Sequence, residues 1–371
     1  MDKVRFGIIG MGNIGVVHAD SLLAGQVARG VLAAVVSSSA AKRAAWAGRG
    51  VQVFSTAAEL FQARAVDAVI IATPHWQHLE LGIAAFKAGV HVLMEKPIAA
   101  HKADAEKLLA AHRLDPKTIF GCMYQKRVEP CFQKIRTRVQ GGELGEIVRV
   151  NWIITDWFRT EAYYASGGWR ATWAGEGGGV LLNQCLHNLD LVQWILGMPK
   201  SVRGFCQFGR FHQIEAEDSV TAYLEWSNGA TGVFVSSTGE APGTNRFEIA
   251  GTKGRLVLEH DRLSLTRNEV DMLEFRRTAT DGFVKPAART EDIAFAKVEL
   301  PHALVTQNFV DAVLDGEPLI APGAEGLHAL ELANAITLSS LENQTVELPM
   351  DGAVWEAKLN GLIATSKRAG A

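Results

Sequence analysis

Two short stretches of this chain carry side chains that could hold or move a proton. The first is Val90-His91-Val92-Leu93-Met94-Glu95-Lys96-Pro97, an apolar strand that runs into an ammonium group and a proline-stiffened turn. The carboxyl edge of an open α/β sheet is where ligands of such sheets bind. A lysine there points its ammonium at the reacting end of a cofactor and could hold a substrate hydroxyl or relay its proton, more readily if partial burial lowers its pKa. In isolation an exposed Lys-Pro turn reads the same way. The second stretch is Gly177-Gly178-Gly179, followed by Asn183, His187 and Asp190. A helix over Leu181–Leu196 would set Asn183 and His187 on one face, behind a glycine run that lets another group come close. A histidine with a polar neighbour in a cleft can take the proton of a hydroxyl whose carbon loses hydride. Spacing alone equally describes a structural histidine bonded to Asp190, and on spacing alone that reading wins.

The elements that must position these residues begin at the N-terminus. Lys3 to Ile9 read as a strand and lead into Gly10-Met11-Gly12-Asn13-Ile14-Gly15 and an apolar helix. Gly-x-Gly-x-x-Gly in that place is the dinucleotide fingerprint: one glycine for the turn, one for approach of the pyrophosphate, one for helix-on-strand packing. Helix N-terminal amides then face the phosphates. Strands are expected at Val4–Ile9, Val31–Val36, Val51–Phe54, Ala68–Ala72, Val90–Met94 and Thr118–Met123, with helices at Ile14–Ala24, Ala41–Ala47, Ala57–Arg64, Trp76–Ala88 and Lys102–His112. Short apolar strands alternating with helices imply a parallel, doubly wound sheet, an α/β Rossmann domain over residues 1–123.

Beyond it, strands at Glu146–Thr155, Val202–Phe211, Ser219–Trp226, Ala230–Ser237, Arg246–Ala250 and Arg255–Glu259 follow one another with little helix between. Asn228-Gly229 between two alternating runs is a hairpin signal. Helices at Val128–Gln140, Leu181–Leu196, Leu304–Leu314 and Ala324–Asn343 would cover one face. Residues 124–371 are therefore expected to form an α+β domain with a large, mostly antiparallel sheet whose other face is open, serving substrate binding and oligomerisation. Arg277–Thr290 reads as an irregular surface loop.

Bulk composition sets the limits. The chain has 371 residues, 48% hydrophobic and 21% charged, as expected of a globular protein of two domains. A net charge of -3 gives no electrostatic reason to expect nucleic acid or an acidic membrane surface. Cys122, Cys131, Cys185 and Cys206 lack the spacing of a zinc site or a disulfide framework, so no metal is expected. A first strand starting near Val4 leaves no room for a signal peptide, and no apolar run has membrane-spanning length. The expectation is a reduced, cytoplasmic protein.

The cofactor's phosphate has its own signal. The second strand ends Val36-Ser37-Ser38-Ser39, Lys42 and Arg43 follow, and no acid occurs from Ser21 to Ala58. Hydroxyls and cations suit a 2′-phosphate, which a carboxylate would repel, so NADP is preferred over NAD; solvated helix charges are the other reading of Lys42 and Arg43. Trp157 to Tyr164 and Gly168-Trp169-Arg170 combine aromatic rings with arginine, the chemistry of a sugar or cofactor rim or of a packed loop. Tyr163 is the rim residue expected at substrate. Lys126 and Arg127, at the crossing between domains, carry the same two readings.

Taken together, Gly10 to Gly15, Ala72-Thr73-Pro74 with His78, Glu95-Lys96-Pro97, and Gly177-Gly178-Gly179 leading to His187 and Asp190 resemble the glucose–fructose oxidoreductase/inositol dehydrogenase (Gfo/Idh/MocA) family over nearly the whole chain. The resemblance implies hydride transfer between a nicotinamide cofactor and a carbinol carbon of a sugar, sugar derivative or cyclitol. Lys96 and His187 would be the catalytic pair. Gly10, Gly12, Asn13, Ile14, Thr73, Pro74, His75, His78 and Glu95 would lie along the cofactor, with Trp169-Arg170 touching it as a Trp-Arg pair does in NADP-dependent sugar reductases of the family. Lys96, Lys126, Arg127, Tyr163, Asn183 and His187 would meet substrate. The resemblance also implies a homo-oligomer, dimer or tetramer, assembled through open sheet faces. Asn183 departs from the family pattern, where Asp is common, and an amide can orient but not carry a proton. That departure keeps two other readings in view: an NAD-tethered glycosidase and a non-enzymatic sugar or cofactor sensor.

Overall fold

The computed structural model describes residues 2–366. Two compact units divide the chain: residues 1–128 with 298–330, and residues 129–297 with 331–371.

In the first unit, β1 (Val4–Ile9), α1 (Asn13–Leu23), β2 (Gly30–Val36), α2 (Ala40–Ala47), β3 (Gln52–Phe54), α3 (Ala57–Gln62), β4 (Ala68–Ile71), α4 (His78–Lys87), β5 (His91–Met94), α5 (Lys102–Leu114) and β6 (Phe120–Cys122) follow the expected alternation. The six strands form one sheet in the order β3-β2-β1-β4-β5-β6, and every pairing is parallel. β4 is buried along its whole length, which is why its sequence shows no alternation.

The second unit holds α6 (Pro130–Gln140), β7 (Ile147–Ile154), α7 (Glu161–Ala165), α8 (Leu186–Leu196), β8 (Ser201–Phe208), β9 (Glu217–Glu225), β10 (Thr231–Ser237), β11 (Asn245–Gly251), β12 (Gly254–Glu259), β13 (Arg262–Asn268), α9 (Met272–Thr278) and β14 (Ala288–Ile293). After α10 (Pro301–Asp315) come α11 (Gly326–Glu342), β15 (Val346–Glu347) and α12 (Gly352–Thr365). Nine strands form a sheet in the order β14-β13-β12-β11-β7-β10-β9-β8-β15, antiparallel except where β7 meets β10. Val150, Trp152 and Ile154 point into the core from β7, whereas Ile153 on β7, Tyr223 on β9, Val233 on β10 and Phe205 on β8 are exposed. One face is covered and the other is open. On the covered face Phe132 of α6 lies 5.9 Å from the Trp152 ring, and Trp152 stacks on Phe247 at 4.0 Å.

Three features differ from the sequence reading. Ala288–Ile293, placed partly in a surface loop, is an edge strand; β13 beside it was also unforeseen, although its Leu263 and Leu265 are buried. The segment after residue 297 returns to the first unit, so the division is not a single cut near residue 123. Val305, Phe309 and Val310 of α10 join a core with Val4, Phe6 and Ile8 of β1, and the Phe6 and Phe309 rings lie 6.1 Å apart. Burying one such ring is worth about 2–3 kcal/mol, enough to fix where the helix docks. Finally, α8 starts only at Leu186, and Asn183 lies in a turn before it. The shared helix face expected for Asn183 and His187 does not exist.

Candidate active site

The glycine loop of the first unit is built as its spacing requires. Gly10 has φ +97°, and a Cβ there would lie 2.7 Å from the Ala72 carbonyl oxygen. A Cβ on Gly15 would sit 1.9 Å from the Gly10 carbonyl oxygen, so that glycine is fixed by packing. Gly12 has open space where its Cβ would be, and it starts α1 with no side-chain cap. Asn13 is exposed and Ile14 half-buried on the first turn of that helix. Beyond β2, in the first turn of α2, Lys42 Nζ donates to the Met11 carbonyl at 2.7 Å. Arg43 Nη1 donates to the carbonyls of Ser37 at 2.7 Å and Ser38 at 2.8 Å. Both cations lie against the cradle, held there by backbone oxygens.

The next two strand ends supply the chemistry-bearing turn. Thr73 keeps a buried hydroxyl with no hydrogen-bond partner among the described residues, with Pro74 exposed and His75 half-buried after it. His78 is fully buried, its Nδ1 2.8 Å from the Pro97 carbonyl and its Nε2 2.9 Å from the Thr73 carbonyl. Burial holds its pKa below the usual imidazole value despite those carbonyls, so the neutral ring serves one of them at a time. It therefore braces the turns after β4 and β5 with a side chain that is fully buried. Glu95 is likewise turned inward. Its Oε1 lies 2.7 Å from His18 Nε2 and its Oε2 accepts from the Lys96 backbone N–H at 3.2 Å. Burial pushes this carboxyl up, but the His18 hydrogen bond and the charges of His18, His302 and Lys96 together hold it below the usual range. His302 comes from the returning α10 and packs edge-on to His18, ring centroids 5.7 Å apart. Lys96 thus leaves β5 from a turn anchored on a buried carboxylate.

Lys126 is half-buried. Arg127 is fully buried, with Nη1 donating to the Ile320 carbonyl at 3.0 Å and paired with Glu325. It ties the returning segment to the first unit, and its expected contact with substrate is withdrawn for that reason.

In the second unit the aromatic-arginine rim closes on itself. Arg170 lies 4.5 Å over the Tyr163 ring and 4.6 Å over the Trp169 ring. The Tyr163 hydroxyl accepts from Arg170 Nη1 at 3.0 Å and from Gln184 Nε2 at 3.2 Å. Behind it sits Glu176, buried and unforeseen: its Oε2 accepts from the Ala171 backbone N–H at 2.7 Å, and its Oε1 from the Asn183 amide. The glycine run does bring another group close, and that group is β9. A Cβ on Gly179 would lie 2.0 Å from the Glu217 carbonyl oxygen. Glu217 Oε1 accepts from the Gly179 and Leu181 backbone N–H groups, each at 3.0 Å. Burial pushes this carboxyl up to about 7 against those hydrogen bonds and that of its own backbone N–H, with Glu176 adding to the rise. His187 is buried in the first turn of α8. In the sequence, Glu176 shows only as a lone acid among glycines, and Glu217 as one acid of Glu215-Ala216-Glu217-Asp218.

Two family models match this chain. Residues 4–120 fit the "Oxidoreductase family, NAD-binding Rossmann fold" and residues 132–257 the "GFO/IDH/MocA C-terminal domain". The chain belongs to the Gfo/Idh/MocA oxidoreductase family. Among its relatives is the inositol 2-dehydrogenase of Rhizobium meliloti, 27% identical over 352 residues, covering 93% of this chain and 99% of that one. The scyllo-inositol 2-dehydrogenase (NAD(+)) of Bacillus subtilis is 25% identical over 93% of this chain and 96% of its own. A solved structure of the WlbA dehydrogenase from Bordetella pertussis, in complex with NADH and UDP-GlcNAcA, is 27% identical with a TM-score of 0.78, covering 94% of this chain and all of that one.

The residues of this oxidoreductase fit a dinucleotide. The open side of Gly12, the uncapped start of α1 and the orphaned Thr73 hydroxyl supply a cradle and donors where a phosphate and a nicotinamide ribose would lie. Among the described residues no helix is long and apolar enough to cross a membrane.

Proposed function

We propose that this family member oxidises or reduces a carbinol carbon of a sugar, sugar derivative or cyclitol, with Lys96 and His187 as the catalytic pair. What carries the reading is that a chain with an intact dinucleotide cradle keeps both of those side chains, each on its own anchored turn. A bound nicotinamide supplies the hydride acceptor or donor. Lys96 holds and polarises the reacting oxygen from the first unit, its backbone fixed by the Glu95 carboxylate. The His187 imidazole takes or returns the hydroxyl proton, and Asn183 orients a substrate hydroxyl. Tyr163, Trp169 and Arg170 present aromatic faces and a guanidinium, which suit a sugar ring or an acidic group on it. Positioning of this kind removes much of the entropic cost of hydride transfer.

The loop after β2 and the start of α2 carry Ser37, Ser38, Lys42 and Arg43 and no acid, which supports NADP over NAD. Both cations already hold backbone oxygens, so the preference rests on charge at the cradle rather than on a free ligand. The open face bearing Ile153, Phe205, Tyr223 and Val233 supports a homo-oligomer. The cysteines carry no disulfide, which suits a cytoplasmic location. The test is a screen of NAD- and NADP-linked activity over inositols, hexoses and nucleotide-sugars. Turnover on one of these classes is expected. Tight cofactor binding with no turnover on any of them would favour the sensor reading instead.

A further inference from the structure

The second unit contains a buried acid that no motif explains. Glu176 lies directly before the glycine run, is 1% exposed, and uses its two oxygens on two different segments. Oε2 takes the backbone N–H of Ala171, the residue after Trp169-Arg170, at 2.7 Å. Ala171 itself has φ +47°, a strained conformation for a residue with a Cβ that needs a partner to persist. Oε1 takes the side-chain amide of Asn183. Since a carboxylate only accepts, this bond fixes which end of the amide faces Glu176 and sends the other end elsewhere. The Trp169 carbonyl meanwhile accepts from the Thr172 hydroxyl at 3.0 Å, closing the rim loop over the same spot.

We propose that Glu176 is a positioning residue that locks the Trp169–Ala171 rim and the Asn183 amide into one frame, so that a polyol meets both in a fixed relation. This rests on the carbohydrate-oxidoreductase reading above. Glu176 touches no reacting atom; it acts through Asn183 and the rim. It also gives the asparagine a reason. An aspartate at 183 would face the Glu176 carboxyl, and two buried carboxyls so placed cannot both be charged. The pair here divides the labour, with the accepting carboxyl at 176 and the oriented amide at 183.

The arrangement predicts an exchange of partners. In Glu176→Gln the new side chain can accept from Ala171 only by turning its own NH2 on the Asn183 NH2, so that two donors meet and the Ala171 bond weakens. In Asn183→Asp two carboxyls meet. In the double variant the introduced glutamine donates its NH2 to the introduced aspartate, while its amide oxygen still accepts from the Ala171 N–H. Each single variant should lose about tenfold or more in kcat/KM on the polyol found by the screen, as expected for an unmatched buried polar group. The loss should appear in polyol KM as well as kcat, with dinucleotide affinity within about threefold of wild type. The double variant should recover at least about threefold relative to either single variant. Hydrogen exchange at the Ala171 amide is read in parallel: faster in Glu176→Gln and restored in the double variant. That arm needs no turnover, so it judges the frame even if the screen finds no substrate. Unchanged exchange in Glu176→Gln, unchanged polyol KM and kcat despite faster exchange, or a double variant no better than the singles would each overturn the proposal.

Discussion

The two units each bury a glutamate that holds the backbone near a proposed catalytic group, and they stabilise it by different means. Glu95, in the first unit, meets an imidazole at 2.7 Å and stays below the usual carboxylate range. Glu217, in the second, meets backbone N–H groups among the described residues, and burial lifts it to about 7. A partner that can carry charge offsets burial; neutral donors alone offset it in part. The first unit is thus anchored by a carboxylate held below the usual range, and the second by one lifted to about 7.

The largest effects test whether both anchored turns do chemistry. Lys96→Met and His187→Ala should each lower kcat by about 10² or more, as loss of a positioned acid–base or polarising group does, with cofactor affinity changed far less. Near-normal kcat in either variant would remove that unit from the reaction.

Next comes the strength of the imidazole anchor. His18→Ala leaves Glu95 buried beside an empty site and should cost about 3 kcal/mol in urea unfolding, the scale of a broken buried pair. A loss under about 1 kcal/mol, as at a surface pair, would erase the contrast between the units.

The pH responses sharpen it further. Glu95 has a folded pKa below its unfolded value, so its stabilisation is present above the ordinary carboxylate range and is lost as pH falls through the folded value. Glu217 has a folded pKa of about 7 against an ordinary value of 4.5. The folded chain therefore keeps a proton the unfolded chain releases, and stability declines as pH rises between those values. Relative to wild type, Glu217→Gln should gain about 1 kcal/mol or more between pH 5 and pH 8, whereas Glu95→Gln should show no such gain. Parallel trends in the two variants would contradict the assignment.

A further prediction concerns the cradle. Ser37→Asp should swing preference from NADP toward NAD by about tenfold, or 1.4 kcal/mol, measured by fluorescence titration of both cofactors. NAD binding tenfold tighter than NADP to the unaltered protein would sink the NADP preference.

Much of this was legible in the sequence, for local reasons. The β1 to β6 strands are short apolar runs, and the glycine loop sits where β1 ends, so neighbouring residues sufficed. What was hidden depends on distant partners. α10 returns to the first unit because Phe309 packs on Phe6, and only then does His302 reach His18. β14 is exposed along nearly its whole length, so it shows no apolar alternation. Asn183 looked helical because Leu181–Leu196 is apolar enough, yet Gly179 and Leu181 give their N–H groups to Glu217 and the helix begins later. Arg127 looked like a ligand-binding cation because its partner Glu325 lies almost two hundred residues away.

The central claim is direct hydride transfer from a carbinol carbon, and isotopic labelling tests it most directly. A polyol active in the screen, deuterated at the carbon oxidised, is incubated with the oxidised dinucleotide, and the reduced dinucleotide is analysed by mass spectrometry. The account predicts one deuterium in the reduced nicotinamide for each ketone formed, accumulating about a hundredfold more slowly with Lys96→Met or His187→Ala. Unlabelled reduced cofactor, or cleavage of a glycoside with no net reduced cofactor, would contradict it.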